Sequence, residues 1–205
     1  MWWRELQAQA RAATMQEGDR KARIDPSASI AETARLDTSK GPIFVGARTR
    51  ICDGAHIHGP AAIGEDCLVG NLAMLRGPVW VGKGTRIGFA TEIKGAIVQD
   101  RVTIGPQCFV ADSKIERDAY LGAQVRTSNH RLDRQTVKVL QDGEWIDTGL
   151  EKLGCLIGEG SSLGTQVIVL PGRMIAAGSS FAPRITVEKN LPPGRYRLAQ
   201  QLESF

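Results

Sequence analysis

The 205-residue chain is long enough for one well-packed core and leaves little room for a second. Its net charge of +4, from 18 Arg and 8 Lys against 22 acidic residues, is scattered along the sequence instead of forming a basic run, so anionic partners are expected, and small phosphate-bearing ligands account for it as well as nucleic acid does. No stretch approaches the ~18 consecutive apolar residues of a membrane-spanning helix.

The first predicted element is an amphipathic helix over residues 2–15, with Trp3, Leu6, Ala10 and Ala13 near helical spacing. It is expected to close one end of the fold or an intersubunit groove, with the Trp2–Trp3 pair in packing. Charge at Arg4 and Glu5 arrives too early for a secretory apolar region, so a cytoplasmic location is expected.

Next comes a repeat. Aliphatic residues recur every six positions at Val45, Ile51, Ile57, Ile63, Val69, Leu75, Val81, Ile87 and Ile93. Earlier members are Ile24, Ile30 and Leu36; later ones are Val98, Ile104, Val110, Ile115 and Leu121. After an interruption the series resumes at Ile157, Leu163, Val169, Ile175 and Phe181. A period of six is neither helical nor that of an ordinary strand, whereas a short strand plus a turn in every hexapeptide accounts for it. Three hexapeptides make one triangular coil, with the aliphatic residues stacked inside. The expected fold is therefore all-β: a left-handed parallel β-helix of about seven coils, roughly 34 Å long at the strand spacing of a sheet. The 23 glycines and 5% aromatic content agree, because tight corners need small residues.

Between Thr127 and Gly154 the period fails, and this polar segment is expected to project from the prism as an ordered loop. Within it, Val137-Lys138-Val139 and Trp145-Ile146-Asp147 flank an Asp142-Gly143 turn and read as a hairpin. Beyond Val187, Leu191-Pro192-Pro193-Gly194 breaks the repeat and leads to a predicted helix from Tyr196 to Leu202, a cap for the other end. The organisation is a helical cap over 1–23, a β-helix over 24–190 with an extruded loop over 127–154, and a tail over 191–205.

Cys52, Cys67, Cys108 and Cys155 have neither zinc-site spacing nor disulfide density, and Cys67 and Cys108 fall on small-residue positions of the repeat, so buried inert thiols are expected. His56 and His58 flank inward-pointing Ile57 and are expected to face solvent. Three histidines in all, without ligand spacing, give no basis for a catalytic metal.

Several segments also resemble the C-terminal β-helix of sugar-1-phosphate nucleotidylyltransferases, including the acetyltransferase half of the N-acetylglucosamine-1-phosphate uridylyltransferases. Those are Leu75-Arg76-Gly77-Pro78, Ile87-Gly88-Phe89-Ala90-Thr91-Glu92-Ile93-Lys94, Gly143 to Gly149, Lys152-Leu153-Gly154 and Ile157-Gly158-Glu159-Gly160. The resemblance runs from Arg76 to Val187, and nothing in the chain resembles the nucleotidyl-transfer domain of that family. It implies an acyl-CoA-dependent transferase, with acetyl-CoA as donor, acting on an amino or hydroxyl group of a phosphorylated or nucleotide-linked sugar. It further implies a homotrimer with sites between subunits, and neither nucleic acid nor membrane as partner. Arg76 and Lys94 match the family's phosphate and sugar ligands, Asn129 and Lys138 its substrate-contacting loop positions, and Thr165 and Ala177 its acyl-CoA contacts. Arg195 and Arg197 in the tail are candidates to neutralise CoA phosphates.

One departure stands out. The family's catalytic His aligns with Pro106 and its neighbouring Tyr with Phe109, and neither can move a proton. His130 resembles the loop histidine that serves as base in galactoside-type acetyltransferases, and is the expected catalytic residue. The competing expectation is a non-catalytic protein that binds a sugar phosphate or assembles other chains, its base having been lost.

Overall fold

A computed structural model describes residues 1–14 and 21–199. Three parallel sheets form the walls of a left-handed triangular prism. The inward residues of the first face run Ile24, Val45, Ile63, Val81, Val98, Ile115, Ile157 and Ile175. Those of the second begin at Ile30 and end at Phe181 and Tyr196. Those of the third begin at Leu36 and include Thr127, Val169 and Val187. Ile51, Ile57, Val69, Leu75, Ile93, Val98, Val110, Ile115, Leu121, Ile157 and Leu163 are all 0% exposed, which accounts for the six-residue period in one stroke.

Among the described residues the faces contain eight, nine and eight strands, which make eight coils, one more than the aliphatic count suggests. Three rungs escaped that count: Thr127, Val187 and Tyr196. Thr127 fills a core slot because its hydroxyl is satisfied there, accepting a hydrogen bond from the Ala111 amide at 2.8 Å. Other buried hydroxyls stitch coil to coil at the corners. Thr91 donates to the Gly105 carbonyl at 2.8 Å and accepts from the Cys108 amide at 3.1 Å, and Thr49 and Thr85 repeat the pattern. Consecutive coils approach so closely that a Cβ on Gly77 would lie 2.3 Å from the Pro60 carbonyl oxygen, and only glycine fits.

The tail departs from expectation. Arg195–Tyr196 adds a ninth strand to the second face instead of opening a helix, and the Tyr196 ring stacks on Phe181 with centroids 4.9 Å apart. Stacking on an otherwise open core end makes the strand the better cap. The rest of the predicted helix, from residue 200, lies outside the described residues.

The N-terminal helix, Trp2–Thr14, forms as expected from its run of good helix formers, with Glu5 in the first turn and Arg11 in the last. It does not cap an end. It lies against the first face, where Trp2, Trp3 and Leu6 make a second small core with Val137, Val139 and Leu153 of the extruded segment. Beneath it, the nearly buried Lys114 ammonium binds the Glu5 carboxylate at 2.7 Å. The opposite end of the prism is left more open, with Ile24 41% exposed.

Cys67, Cys108 and Cys155 are buried, and only Cys52 is partly exposed. Burial drives the Cys155 thiol up to about 12 and raises Cys67 and Cys108 as well. Alkylation of the native protein by iodoacetamide at pH 8 should therefore label Cys52 alone, the other three following only in denaturant. Fast labelling of Cys155 in the native state would contradict this packing.

Candidate functional site

The site is built on the edge where the third face turns into the first. Backbone register stacks the outward residues at the end of the third-face strands in one column: Asp37, His58, Arg76, Lys94 and Ala111. The next coil leaves the prism there, at Ser128, to form the extruded loop. Its neck is stapled shut: the Leu153 amide donates to the Asn129 carbonyl at 2.9 Å, the Gly154 amide to the Asp112 carbonyl at 2.8 Å, and His130 bridges Lys152.

Asp112 is the hub. Its Oδ2 accepts from Lys94 Nζ at 3.3 Å and from Asn129 Nδ2 at 2.5 Å, so three residues from three coils meet at one carboxylate oxygen. One coil away Arg76 pairs with Glu92 at 2.5 Å. The structure thus places Arg76, Lys94 and Asn129 along one edge, and each cation already holds a carboxylate. Sequence reasoning missed Asp112 and Glu92. The usable signal was spacing, since one coil is 16–18 residues and Lys94–Asp112 and Arg76–Glu92 are separated by 18 and 16.

His130 follows Asn129 and is exposed at the mouth of a groove of about 550 Å³ lined by Ser128, Arg131, Asp133, Leu170, Arg173 and Glu188. Two cations border it. Arg173 stacks on the Trp145 ring at 4.8 Å, and its guanidinium is shifted down by burial and by Arg131. Hydrogen bonding from Arg131 and from the Gln135 amide holds Asp133 down at about 2, which removes it as a rival base near neutrality. Leu132, beside them, is fully exposed at the loop tip.

The hairpin forms as predicted, Lys138–Gln141 against Glu144–Asp147, with Asp142 and Gly143 at φ +51° and +85° in a tight turn suited to the strand twist. Lys138 sits on its outer side, paired in register with Asp147. Among the described residues no hydrogen bond or ion pair joins it to Lys94, Asp112 or Asn129. The loop proper begins at Ser128, because Thr127 is still a buried rung.

His56 and His58 are not the solvent-facing pair expected. Their rings lie 4.3 Å apart and half-buried, with His58 Nδ1 3.5 Å from the Asp37 carboxylate and His56 Nε2 buried without a partner among the described residues. The alternating pattern around Ile57 gave their outward direction but not the shielding by neighbouring coils.

Pro106 occupies the other edge of the third face. At this edge, glutamines at φ near +60° stack in a ladder, Gln166 to Gln124 at 2.8 Å and Gln124 to Gln107 at 3.0 Å, between exposed Leu72 and Phe89 and a terminal Arg184. Here Thr165 and Arg197 do come together, lining a groove of about 560 Å³ with Gln166 and Arg184. Arg195 instead stands on the second face above Ser180, and Ala177 lies at the edge between first and second faces, so the four residues do not share one groove. That last edge is an ion-pair ladder, with Arg48 on Asp66 and Glu65, Lys83 on Glu65, Arg101 on Asp118 and Arg117 on Glu159. By contrast Arg126, Arg184, Arg195 and Arg197 have no carboxylate partner among the described residues.

No family model matches the sequence. The protein named uncharacterized acetyltransferase YaiX in Escherichia coli O6:K15:H31 is 53% identical over 178 residues, covering 87% of this chain and 77% of that protein. The bifunctional protein GlmU of Methanococcus vannielii is 28% identical over 123 residues, which are 60% of this chain and 30% of GlmU. The Francisella novicida UDP-N-acetylglucosamine acyltransferase has a similar fold, with a TM-score of 0.52 at 17% identity over 84% of this chain and 63% of that one. The chain thus spans less than two thirds of the length of that solved relative.

Proposed function

The chain belongs to the hexapeptide-repeat acyltransferases, and on that premise we propose that it moves an acetyl group from acetyl-CoA to an amino or hydroxyl group of a phosphorylated or nucleotide-linked sugar. The observation that carries the reading is the meeting of Lys94 and Asn129 on Asp112 at the neck of the loop, with Arg76 in register one coil from Lys94 and His130 next to Asn129. An acceptor phosphate takes over Arg76 and Lys94 from Glu92 and Asp112, exchanging carboxylate for a group of higher charge and more acceptor oxygens. His130 removes the proton as the acceptor nitrogen or oxygen attacks the thioester carbonyl, and prism-edge amides stabilise the oxyanion. The tetrahedral intermediate then collapses, its C–S bond breaks, and the departing CoA sulfur takes up the proton from His130.

The acyl-CoA is assigned to the edge of Thr165, Gln166, Arg184 and Arg197. Its phosphates find there guanidinium groups not already satisfied by carboxylates. Arg195 and Ala177 do not line that groove, and are assigned to contacts made where a neighbouring copy closes over the second face.

A homotrimer is the expected assembly. The uncharged edge from Asn71 to Pro183, with Leu72 and Phe89 at 56% and 48% exposed, offers a surface that a second copy would cover. Light scattering at micromolar concentration should give three times 22.2 kDa. A stable monomer would remove the case for shared sites.

The direct test incubates purified protein with acetyl-CoA and a panel of amino-sugar phosphates and nucleotide sugars. Acceptor-dependent CoA release is expected. Arg76→Ala and Lys94→Ala should each weaken acceptor binding by roughly tenfold or more, since hydrogen bonds to charged groups contribute about 1.5–3 kcal/mol. Pro106 and the half-exposed Phe109 at the family's catalytic positions favour the non-catalytic alternative, and absence of CoA release with intact sugar-phosphate binding would establish it.

A further inference from the structure

Directly around the corner from Arg76 lies a second concavity, which the acyl-transfer reading does not use. The outward residues of the first face stack there in the order Arg23, Phe44, Ala62, Trp80. Two aromatic side chains are thus separated by a single alanine, two rungs and about 9.6 Å apart along the prism. Such a gap admits one planar ring stacked against each wall at ordinary aromatic separations of about 4.5–7 Å. The cavity measures about 390 Å³; Pro60 and Pro78 form its back, and Gln9 and Ala12 of the N-terminal helix form its front. One end is closed, because the Arg23 guanidinium covers the far side of Phe44 at 5.4 Å. The other wall, Trp80, is 54% exposed.

Pro60 follows His58 by two residues and Pro78 follows Arg76 by two, so the back of the slot is continuous with the column His58, Arg76, Lys94 on the adjoining face. A ligand entering the slot therefore meets Arg76 and Lys94, each paired with a carboxylate it would displace, on one side and flat apolar walls on the other. Gln9 supplies the amide, donor and acceptor together, that the polar edge of a heteroaromatic ring requires. Burial of His56 and its neighbours His58 and Arg35 shift that imidazole down, which keeps it uncharged beside the column.

We propose that this slot is the nucleobase subsite of the acceptor, so that the sugar acylated by this chain is carried on a nucleoside diphosphate whose base stacks between Phe44 and Trp80 while its phosphates lie on His58, Arg76 and Lys94. The assignment rests on the acyl-transfer reading above and narrows its substrate class from any phosphorylated sugar to a nucleotide-linked one.

Calorimetry and tryptophan fluorescence on the full chain test it, with uridine, thymidine and guanosine diphosphates, glucosamine 1-phosphate and dodecyl phosphate as probes. Base stacking on aromatic side chains contributes about 1–3 kcal/mol, so at least one nucleoside diphosphate should bind about tenfold or more tighter than glucosamine 1-phosphate and quench fluorescence. Trp80→Ala should abolish that advantage without changing glucosamine 1-phosphate affinity, while Trp80→Phe retains it. If glucosamine 1-phosphate binds in an Arg76-dependent way and no nucleotide binds better, the subsite is wrong and the acyl-transfer reading survives. If dodecyl phosphate, and no nucleotide, depends on Trp80, the slot holds an apolar chain and the proposal is overturned. If no phosphorylated probe binds at all, the sugar-phosphate reading fails and takes the subsite with it.

Discussion

His130→Ala is expected to lower acceptor-dependent CoA release by roughly a hundredfold or more, the usual contribution of a general base, with little change in CoA affinity. Pro106 and Phe109 hold the family's catalytic positions and cannot accept a proton. Asp133, the carboxylate on the same groove, is held down at about 2 by Arg131. Asp112 is occupied by Lys94 and Asn129. His58 sits two rungs below Lys94, toward the end of the prism away from the coils that carry His130 and the Thr165–Arg197 groove. His130→Gln, which keeps a polar side chain of similar size but cannot accept a proton near neutrality, should be as slow as the alanine variant. Wild-type turnover in either variant between pH 6 and 9 would make His130 a bystander and leave the acceptor to lose its proton to water.

The prism was legible because its inward positions obey one rule: every sixth residue is aliphatic and every such residue from Val45 to Ile93 is buried. Where the rule was relaxed, the reading stopped. Thr127 hides a satisfied hydroxyl in the core, and Tyr196 covers an end instead of filling an interior slot, so neither looked like a rung. The helix over Trp2–Thr14 was legible as amphipathic, but amphipathicity states only that one side is covered, not by what. Its cover turned out to be the first face and the hairpin. The candidate site was half legible. Resemblance pointed to Arg76, Lys94 and Asn129, while their partners Glu92 and Asp112 are neighbours only across coils, at separations that local pattern reading does not inspect. Of the four residues grouped for acyl-CoA, Thr165 and Arg197 line one groove and Ala177 and Arg195 do not, because which edge a residue occupies depends on its phase within the 18-residue coil.

Trp3→Ala should detach the extruded loop while leaving the prism folded. Trp3 is 3% exposed, and with Trp2, Leu6, Val137, Val139 and Leu153 it forms a core separate from the one inside the prism. Truncating a buried tryptophan costs about 3–5 kcal/mol. That loss falls almost wholly on a small unit held otherwise by the Glu5–Lys114 ion pair, the Trp2–Trp3 edge contact and the hairpin's own backbone bonds. The prism has its own ladder of 0% exposed aliphatic residues and should melt within a few degrees of wild type. Hydrogen exchange should therefore accelerate at the amides of Val137 and Val139 by a factor of a hundred or more and stay slow at Ile93 and Val110, since local opening and global unfolding are governed by different free energies. Activity is the second readout. Because the same loop carries Asn129, His130 and Arg131, loosening its base should lower turnover well below wild type, with acyl-CoA affinity at the Thr165–Arg197 edge retained. Trp2→Phe is the matched control: the Trp2 indole N–H is buried without a partner among the described residues, so a ring lacking it should leave both exchange and turnover close to wild type. If Trp3→Ala melts the whole molecule in one transition, or leaves Val137 and Val139 protected, the helix and the loop are not the single positioning unit argued here.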